Sequence, residues 1–315
     1  MVVIGTWNLE NLFRPGRDGP KDKPAYDAKL QALGRSITSI GPDVLAVQEV
    51  GDPEALDDLA RHLGGIWHAA LSTHPDRRGI RVGFLSRHPV TVVADTTTLP
   101  GELSPIQIAD KPAVPSGELG RGALAVTVEP APGFVLTLIT CHLKSKLLTF
   151  PGGRFSPRDE GERARYGAYA LYRRAAEATA VRELATQLLQ PGSAQRVIAL
   201  GDLNDETTAA TTQILNGPTG SEIGTGGFAR VDAGDRWRLW NLAPLIPDEQ
   251  RFSRIHNGRK ELIDHIFVSA ALLTPLPTVR TILEEELPSV GDNPGARQDE
   301  PGSDHSPVVA TFPLP

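Results

Sequence analysis

Residues 197–205 read VIALGDLND, and the fold is decided by how this stretch is read. Val197 to Leu200 is a short apolar run without alternation, the pattern of a strand buried on both faces. Asp202 and Asn204 follow at a two-residue spacing. An extended chain therefore turns both side chains to one side and sends Leu203 back into the core. Asp205 falls outside that alternation, precedes Glu206-Thr207-Thr208, and reads as a turn or helix-capping residue. A buried strand that ends in acids and an amide is a rigid mount for polar chemistry.

The same pattern recurs along the chain. Short Val- and Ile-rich runs between turn signals predict strands at Val2 to Trp7, Val44 to Gln48, Arg81 to Leu85, Val90 to Ala94, Ala123 to Val128, Val135 to Cys141, Leu262 to Val268 and Val308 to Phe312. Helical patterns cover Ala25 to Ile40, Glu54 to His62 and Asp159 to Leu189. Pro/Gly-rich stretches at Arg14 to Pro24, Pro100 to Gly120, Gly217 to Gly227 and Pro288 to Gly302 read as long surface loops. Some strands are joined by loops too short for a crossover, so antiparallel pairs are expected beside parallel ones. The expected architecture is α/β, with two packed mixed sheets and helices outside, in one domain spanning residues 1–315.

Polar residues collect where the predicted strands end. Asn8 and Glu10 follow the first strand at a spacing that puts them on one side, and Gln48-Glu49 ends the second. Then come His142 and Lys144, Asp202 and Asn204, Asp264-His265, and Asp304-His305. Taken singly, each has a plain structural reading as a turn, a cap or a satisfied core histidine. Six such segments in one chain point instead to a shared site. Carboxylates such as Glu10, Glu49 and Asp304 suit a hard cation, Mg²⁺ or Mn²⁺, that leaves positions open for water and phosphate oxygens. Hydrolysis of a phosphate ester further needs a group to orient water and donors for the phosphoryl oxygens. Asp202 suits the first task; Asn204, His142 and His305 suit the second.

Composition narrows the alternatives. At 315 residues and 40% hydrophobic content the chain can fill a large core. No run approaches the roughly 18 to 20 apolar residues that span a bilayer. The start, MVVIGTWNLENLF, lacks the features of a signal peptide, and a soluble cytoplasmic protein is expected. The single cysteine, Cys141, excludes an intrachain disulfide. The net charge of −6 argues against unspecific polyanion binding, yet Lys144 to Arg174 is locally basic. That segment reads either as a phosphate-facing surface or as a solvated helix face of mixed charge.

The motifs TWNLEN (6–11), VQEV (47–50), TCHLKSK (140–146), GDLND (201–205), LIDHIF (262–267) and SDHSPV (303–308) resemble, in order, those of the endonuclease/exonuclease/phosphatase superfamily of deoxyribonuclease I-like phosphoesterases. The resemblance covers essentially the whole chain. It implies a four-layered α/β sandwich with the active site at one edge of the paired sheets. Carried over by position, Glu49 looks like the principal metal ligand, with Asn8 beside it, Glu10 as a further metal-binding carboxylate and Asp304 as a metal or water ligand. Asp202 and Asn204 match the pair that positions water and binds phosphate. His305 matches the phosphate-contacting histidine, Asp264 the carboxylate that orients it, and His142 a second histidine.

Three departures stand out. Gly79 to Val82 offers no carboxylate to support His142, Gly51 stands where deoxyribonuclease I has an arginine, and His265 replaces a common aromatic residue. The expected substrate is nucleic acid, DNA or RNA, with Lys144, Lys146, Arg121 and also Arg154 and Arg158 bordering the site. The alternative is a smaller phosphate ester, namely a phospholipid, inositol phosphate or nucleotide.

Overall fold

The computed structural model describes residues 1–315 except 17, 111–115, 191, 193, 284–286, 292, 294 and 315, so parts of three of the four predicted loops lie outside the described residues. The elements in chain order are β1 (Val2–Leu12), α1 (Lys23–Ile40), β2 (Val44–Val50), α2 (Pro53–Leu63), β3 (His68–Leu71), β4 (Arg81–Ser86), β5 (Thr91–Thr98), β6 (Glu118–Ala131) and β7 (Phe134–His142). They continue with α3 (Glu160–Leu189), β8 (Val197–Asp202), α4 (Ala210–Leu215), β9 (Trp240–Asn241), β10 (Arg254–His256), β11 (Arg259–Glu261), β12 (Asp264–Val268), β13 (Thr278–Thr281), β14 (Ser289–Val290) and β15 (Val308–Phe312).

Among the described residues, two six-stranded mixed sheets run β13-β15-β1-β2-β4-β3 and β5-β6-β7-β8-β12-β9, and a small sheet runs β11-β10-β14. Strand periodicity explains the layering. In β2, Val44 and Ala46 join the core between the sheets, while Leu45 and Val47 join the core under α1 and α2. In β8, Ile198 and Leu200 face the opposing sheet, while Val197 and Ala199 lie against α3. These strands are buried on both faces, which is why they read as continuous apolar runs. Each fully buried Leu, Ile or Phe is worth about 1.5–3 kcal/mol relative to exposure. A one-residue slip in any central strand therefore sends a whole set of side chains to the wrong layer.

Helix ends follow local chemistry. Asp22 accepts from the Ala25 amide at 2.9 Å and caps α1, which stops at left-handed Gly41. Asp159, expected as the first helical residue of α3, is its cap and accepts from the Glu162 amide at 2.8 Å. Most expected strands are present and longer than expected, because alternation continues into the polar residues at their ends. The short strands β3, β9 to β11, β13 and β14 lack an apolar signal of their own and were not anticipated.

Candidate active site

The alternation that builds the core also builds the site. The face of each central strand turned to the opposing sheet changes from apolar to polar at one edge. β1 runs Ile4, Thr6, Asn8; β2 runs Val44, Ala46, Gln48; β7 runs Leu138, Thr140, His142; and β8 runs Ile198, Leu200, Asp202. β12 lies antiparallel to β8 and begins at this edge with Asp264 opposite Asp202. β15 lies antiparallel to β1, so the preceding residues 303–306 arrive at the same edge. The Gln48 side-chain amide ties the two sheets together, donating to Thr6 Oγ1 and Thr140 Oγ1, each at 3.1 Å.

Four site residues leave this alternation through left-handed backbone: Glu10 (φ 48°), Asn11 (φ 56°), Glu49 (φ 62°) and Asn204 (φ 54°). Such conformations cost about 1–3 kcal/mol each in non-glycine residues and persist where surrounding contacts hold them. At Glu49 the distortion shifts the β2–β4 register between Val47 and Val50. The Glu49 carboxylate accepts from Asn8 Nδ2 at 3.3 Å and from the Asn11 amide at 3.0 Å. Asn8 and Glu10 do not share a side as strand geometry predicted. Asn8 Nδ2 donates to Asp202 Oδ2 at 3.0 Å, whereas Glu10 takes a bidentate pair from Arg297, with Nε at 2.8 Å and Nη2 at 3.1 Å.

Asp202 is buried and oriented by three groups. Its Oδ1 accepts from the Asn204 amide at 2.8 Å; its Oδ2 faces Asn8 Nδ2 and, at 3.2 Å, His142 Nε2. Burial, followed by the nearby charge of Asp264, pushes its pKa up to about 7. Asn204 spends one amide donor on the Leu143 carbonyl at 3.1 Å, and Leu203 is buried in the core as the alternation requires.

The fully buried Asp264 accepts from His305 Nδ1 at 2.7 Å, and its Oδ1 has no hydrogen-bond partner. Burial opposes charge on His305, but Asp264, Asp304 and Asp202 outweigh it and push its pKa up to about 10. His142 behaves oppositely. Burial first, then the charges of Arg121, His305 and Lys144, hold it well below the usual histidine range, and its Nδ1 has no partner. One site thus holds a charged and a neutral imidazole.

The remaining sequence candidates divide. Arg121 lies within β6, pairs with Asp76 at 3.2 Å, and has a buried Nε without a hydrogen-bond partner among the described residues. Lys144 donates to Ser145 O, Ser145 Oγ and Leu147 O, so its ammonium is held locally. Lys146 is a correction: it sits between Asp205 and Glu261, each at 3.6 Å, and does not reach the cleft described below. Arg154 pairs with Glu162 in the same way. Asp205 is structural, as a buried partner of Arg174 at 3.0 Å rather than a helix cap. His265 is also structural, held between Asn241 and the Asp205 carbonyl. A Cβ on Gly51 would overlap the Phe13 ring, so no larger side chain fits there.

A cleft of about 1310 Å³ opens beside these groups and meets them at Glu10, Asn11, Arg121 and Lys144. Arg77, Arg78, Arg158, Arg173 and Arg297 line it, as do the acids Asp18, Asp76, Asp110 and Glu177, of which Asp18 and Glu177 pair with Arg78 and Arg173; Leu147, Phe150, Phe155, Tyr166 and Tyr169 add apolar and aromatic surface.

The donor set suits a divalent cation. Oxygens of Asp202 and Asp264 and a ring nitrogen of His305 lie within 4.8 Å of one another. Glu49 has only amide donors and distant His142 as polar partners among the described residues. Carboxylates and an imidazole, with no thiolate among them, do not favour a soft metal.

Three contributors were missed. Gln48 was read only as part of a motif. Arg297 lay in a loop of low information content. Lys29 did carry a signal, a lysine on the buried stripe of α1 with Tyr26, Leu30, Leu33 and Ile37. Burial lowers its pKa, against the nearby charges of Glu10 and Asp304.

No curated protein matches the chain at the sequence level. Solved structures do match in fold. Truncated TDP2 of Caenorhabditis elegans is 16% identical, with 99% of this chain and 97% of that chain covered and a TM-score of 0.58. The human Nocturnin catalytic domain is 14% identical, with 99% and 94% covered and a TM-score of 0.57. The Neisseria 3′ phosphatase NExo, bound to a product DNA hairpin, is 17% identical over all of both chains, with a TM-score of 0.56. The sequence profile of the Endonuclease/Exonuclease/phosphatase family matches residues 5–305, and with the two stacked sheets and the polar edge described above, the chain belongs to that family of phosphoester hydrolases.

Proposed function

We propose that this protein is a divalent-metal-dependent phosphodiesterase that hydrolyses nucleic acid. The observation that carries the reading is the opposed pair at the centre of the site. Asp202, with a pKa near neutrality, lies beside His305, which Asp264 keeps protonated. Asp202 takes a proton from the attacking water as the water oxygen bonds to phosphorus. Asn8, His142 and the Asn204 amide hold the carboxylate in one orientation for that transfer. His305, with Nδ1 committed to Asp264, presents Nε2–H to a phosphoryl oxygen as charge develops there. The P–O bond to the leaving oxygen then breaks, its electron pair going to that oxygen, which takes a proton from solvent. Glu49 would hold the cation, which when bound neutralises phosphoryl charge, while Asp304, expected as a metal or water ligand, pairs with Arg254 at 3.3 Å.

The substrate class is argued from the cleft. Arg77 and Arg158, which have no ion-pair partner among the described residues, match phosphates, and its tyrosines and phenylalanines match unpaired bases. One structural relative carries DNA product in its structure, which supports the same class here. The apolar lining also favours a second reading, a phosphate ester with an apolar group such as a phospholipid. Plasmid, single-stranded DNA, RNA, phospholipid vesicles and inositol phosphates assayed with Mg²⁺ and with EDTA separate the two. Metal-dependent polynucleotide cleavage that D202N lowers by orders of magnitude is expected. Turnover of lipid or inositol phosphate without polynucleotide cleavage would reverse the choice.

A further inference from the structure

We propose that Glu10 is a positioning residue and not a metal ligand, and that the guanidinium it holds, Arg297, binds a phosphate of the substrate. The inference rests on the phosphoesterase reading of the same centre.

Both Glu10 oxygens are already taken. Arg297 Nε and Nη2 meet them in a fork at 2.8 and 3.1 Å, the strongest geometry available to a carboxylate outside metal coordination. A divalent cation at Glu10 would have to displace the guanidinium that both carboxylate oxygens already hold, and the two positive charges repel. Glu49 differs. Its oxygens accept from the Asn8 and Asn11 amides at 3.0 to 3.3 Å with His142 Nε2 at 4.0 Å, and among the described residues it has no Arg or Lys ion pair.

Arg297 is built to stay where it is. Nη2 also donates to the Gly302 carbonyl at 3.3 Å. Its neighbours tie the loop to the segment before α1: Gln298 Nε2 donates to the Gly19 carbonyl at 2.6 Å, and the Lys21 amide donates to Asp299 Oδ1 at 2.8 Å. With Nε and Nη2 committed, Nη1 is left without a hydrogen bond among the described residues, on a side chain that lines the cleft near Arg77, Arg78 and Arg121. A guanidinium fixed in advance loses little freedom when it takes a phosphate oxygen.

The test has two arms, neither of which reads turnover. Mn²⁺ binding to wild type, E10Q and E49Q is measured by electron paramagnetic resonance without substrate. Expected is an unchanged number and affinity of sites in E10Q and loss of a site in E49Q. Loss of a site in E10Q, or weakening by about tenfold, a full step in binding constant, would overturn the inference.

In EDTA, the Kd of a labelled single-stranded deoxyoligonucleotide is measured by anisotropy. It should rise about tenfold in R297A, the scale of one lost charge-assisted contact. It should rise less in R297K and E10Q, and no further in the E10Q/R297A double variant than in R297A. Additive losses would show that Glu10 does not act through Arg297. Binding of inorganic phosphate, followed by ³¹P line broadening, runs in parallel. Arg297-dependent phosphate binding without oligonucleotide binding would reject the nucleic-acid reading and support this one. Binding of both ligands unaffected by R297A would reject this one alone.

Discussion

His305 and Asp202 are opposite answers to the same burial. Both lie in the inter-sheet gap, but His305 is surrounded by carboxylates and stays charged, while Asp202 faces a neighbouring carboxylate and is drawn towards neutrality. On the proposed roles, activity needs Asp202 ionised and His305 protonated. The rate of the enzyme should therefore rise as pH climbs through about 7 and fall as it passes about 10. A bound cation, being positive, moves the acidic limb lower. Replacing Asp264 in D264N removes the strongest support for the imidazolium, so the basic limb should move down in a profile of kcat/KM against pH. A basic limb that stays in place would contradict the assigned roles. H305A should lower kcat by about 10²–10⁴, the range of one acid–base or charge-stabilising group. At this scale much was legible in the sequence, because Asp202, Asp264 and His305 sit in strand-end motifs whose spacing fixes their direction. Glu10 was not, since its left-handed backbone turns it away from the direction that spacing implies.

The strand is the unit that carries the site, because one face holds both core and chemistry. Gln48 shows the dependence most directly. Its amide is the hydrogen-bond partner of hydroxyls on both sheets. Q48A leaves Thr6 and Thr140 with a lost partner at full burial, and should lower unfolding free energy in urea by about 1–3 kcal/mol. Gly201 has a different role. A Cβ there would overlap the Cys141 carbonyl of the adjacent strand. G201A should therefore force β7 and β8 apart, and it should lower both the unfolding midpoint and activity. The long apolar strands were readable because burial on both faces leaves a continuous run. The helix α3 misled in one respect: its basic residues looked available to phosphate, yet Arg163, Arg173 and Arg174 are spent on Glu160, Glu177 and Asp205. Pairing between residues three or four apart on a helix, or with a distant loop, leaves no simple trace in composition.

For the molecule as a whole, the order of six motifs was enough to place two sheets and their shared edge, but not the loop 295–302 that crosses back to Glu10. That contact joins residues 287 positions apart through a side chain with no motif around it. Chelation by EDTA should abolish turnover, and Mg²⁺ or Mn²⁺ should restore it. Oligonucleotide affinity should fall with salt; contacts to about four phosphates would give a log–log slope of about −3. A flat salt response would instead favour a small or apolar ester. The central contacts, Asn8 to Asp202 and His305 to Asp264, each run from one sheet to the other. Neither sheet owns a working set. His305 arrives just before β15, which inserts between β13 and β1. During synthesis, then, a growing chain would carry most acids of the site before the histidine that pairs with Asp264. The His305–Asp264 contact would close only when β15 takes its place between β13 and β1.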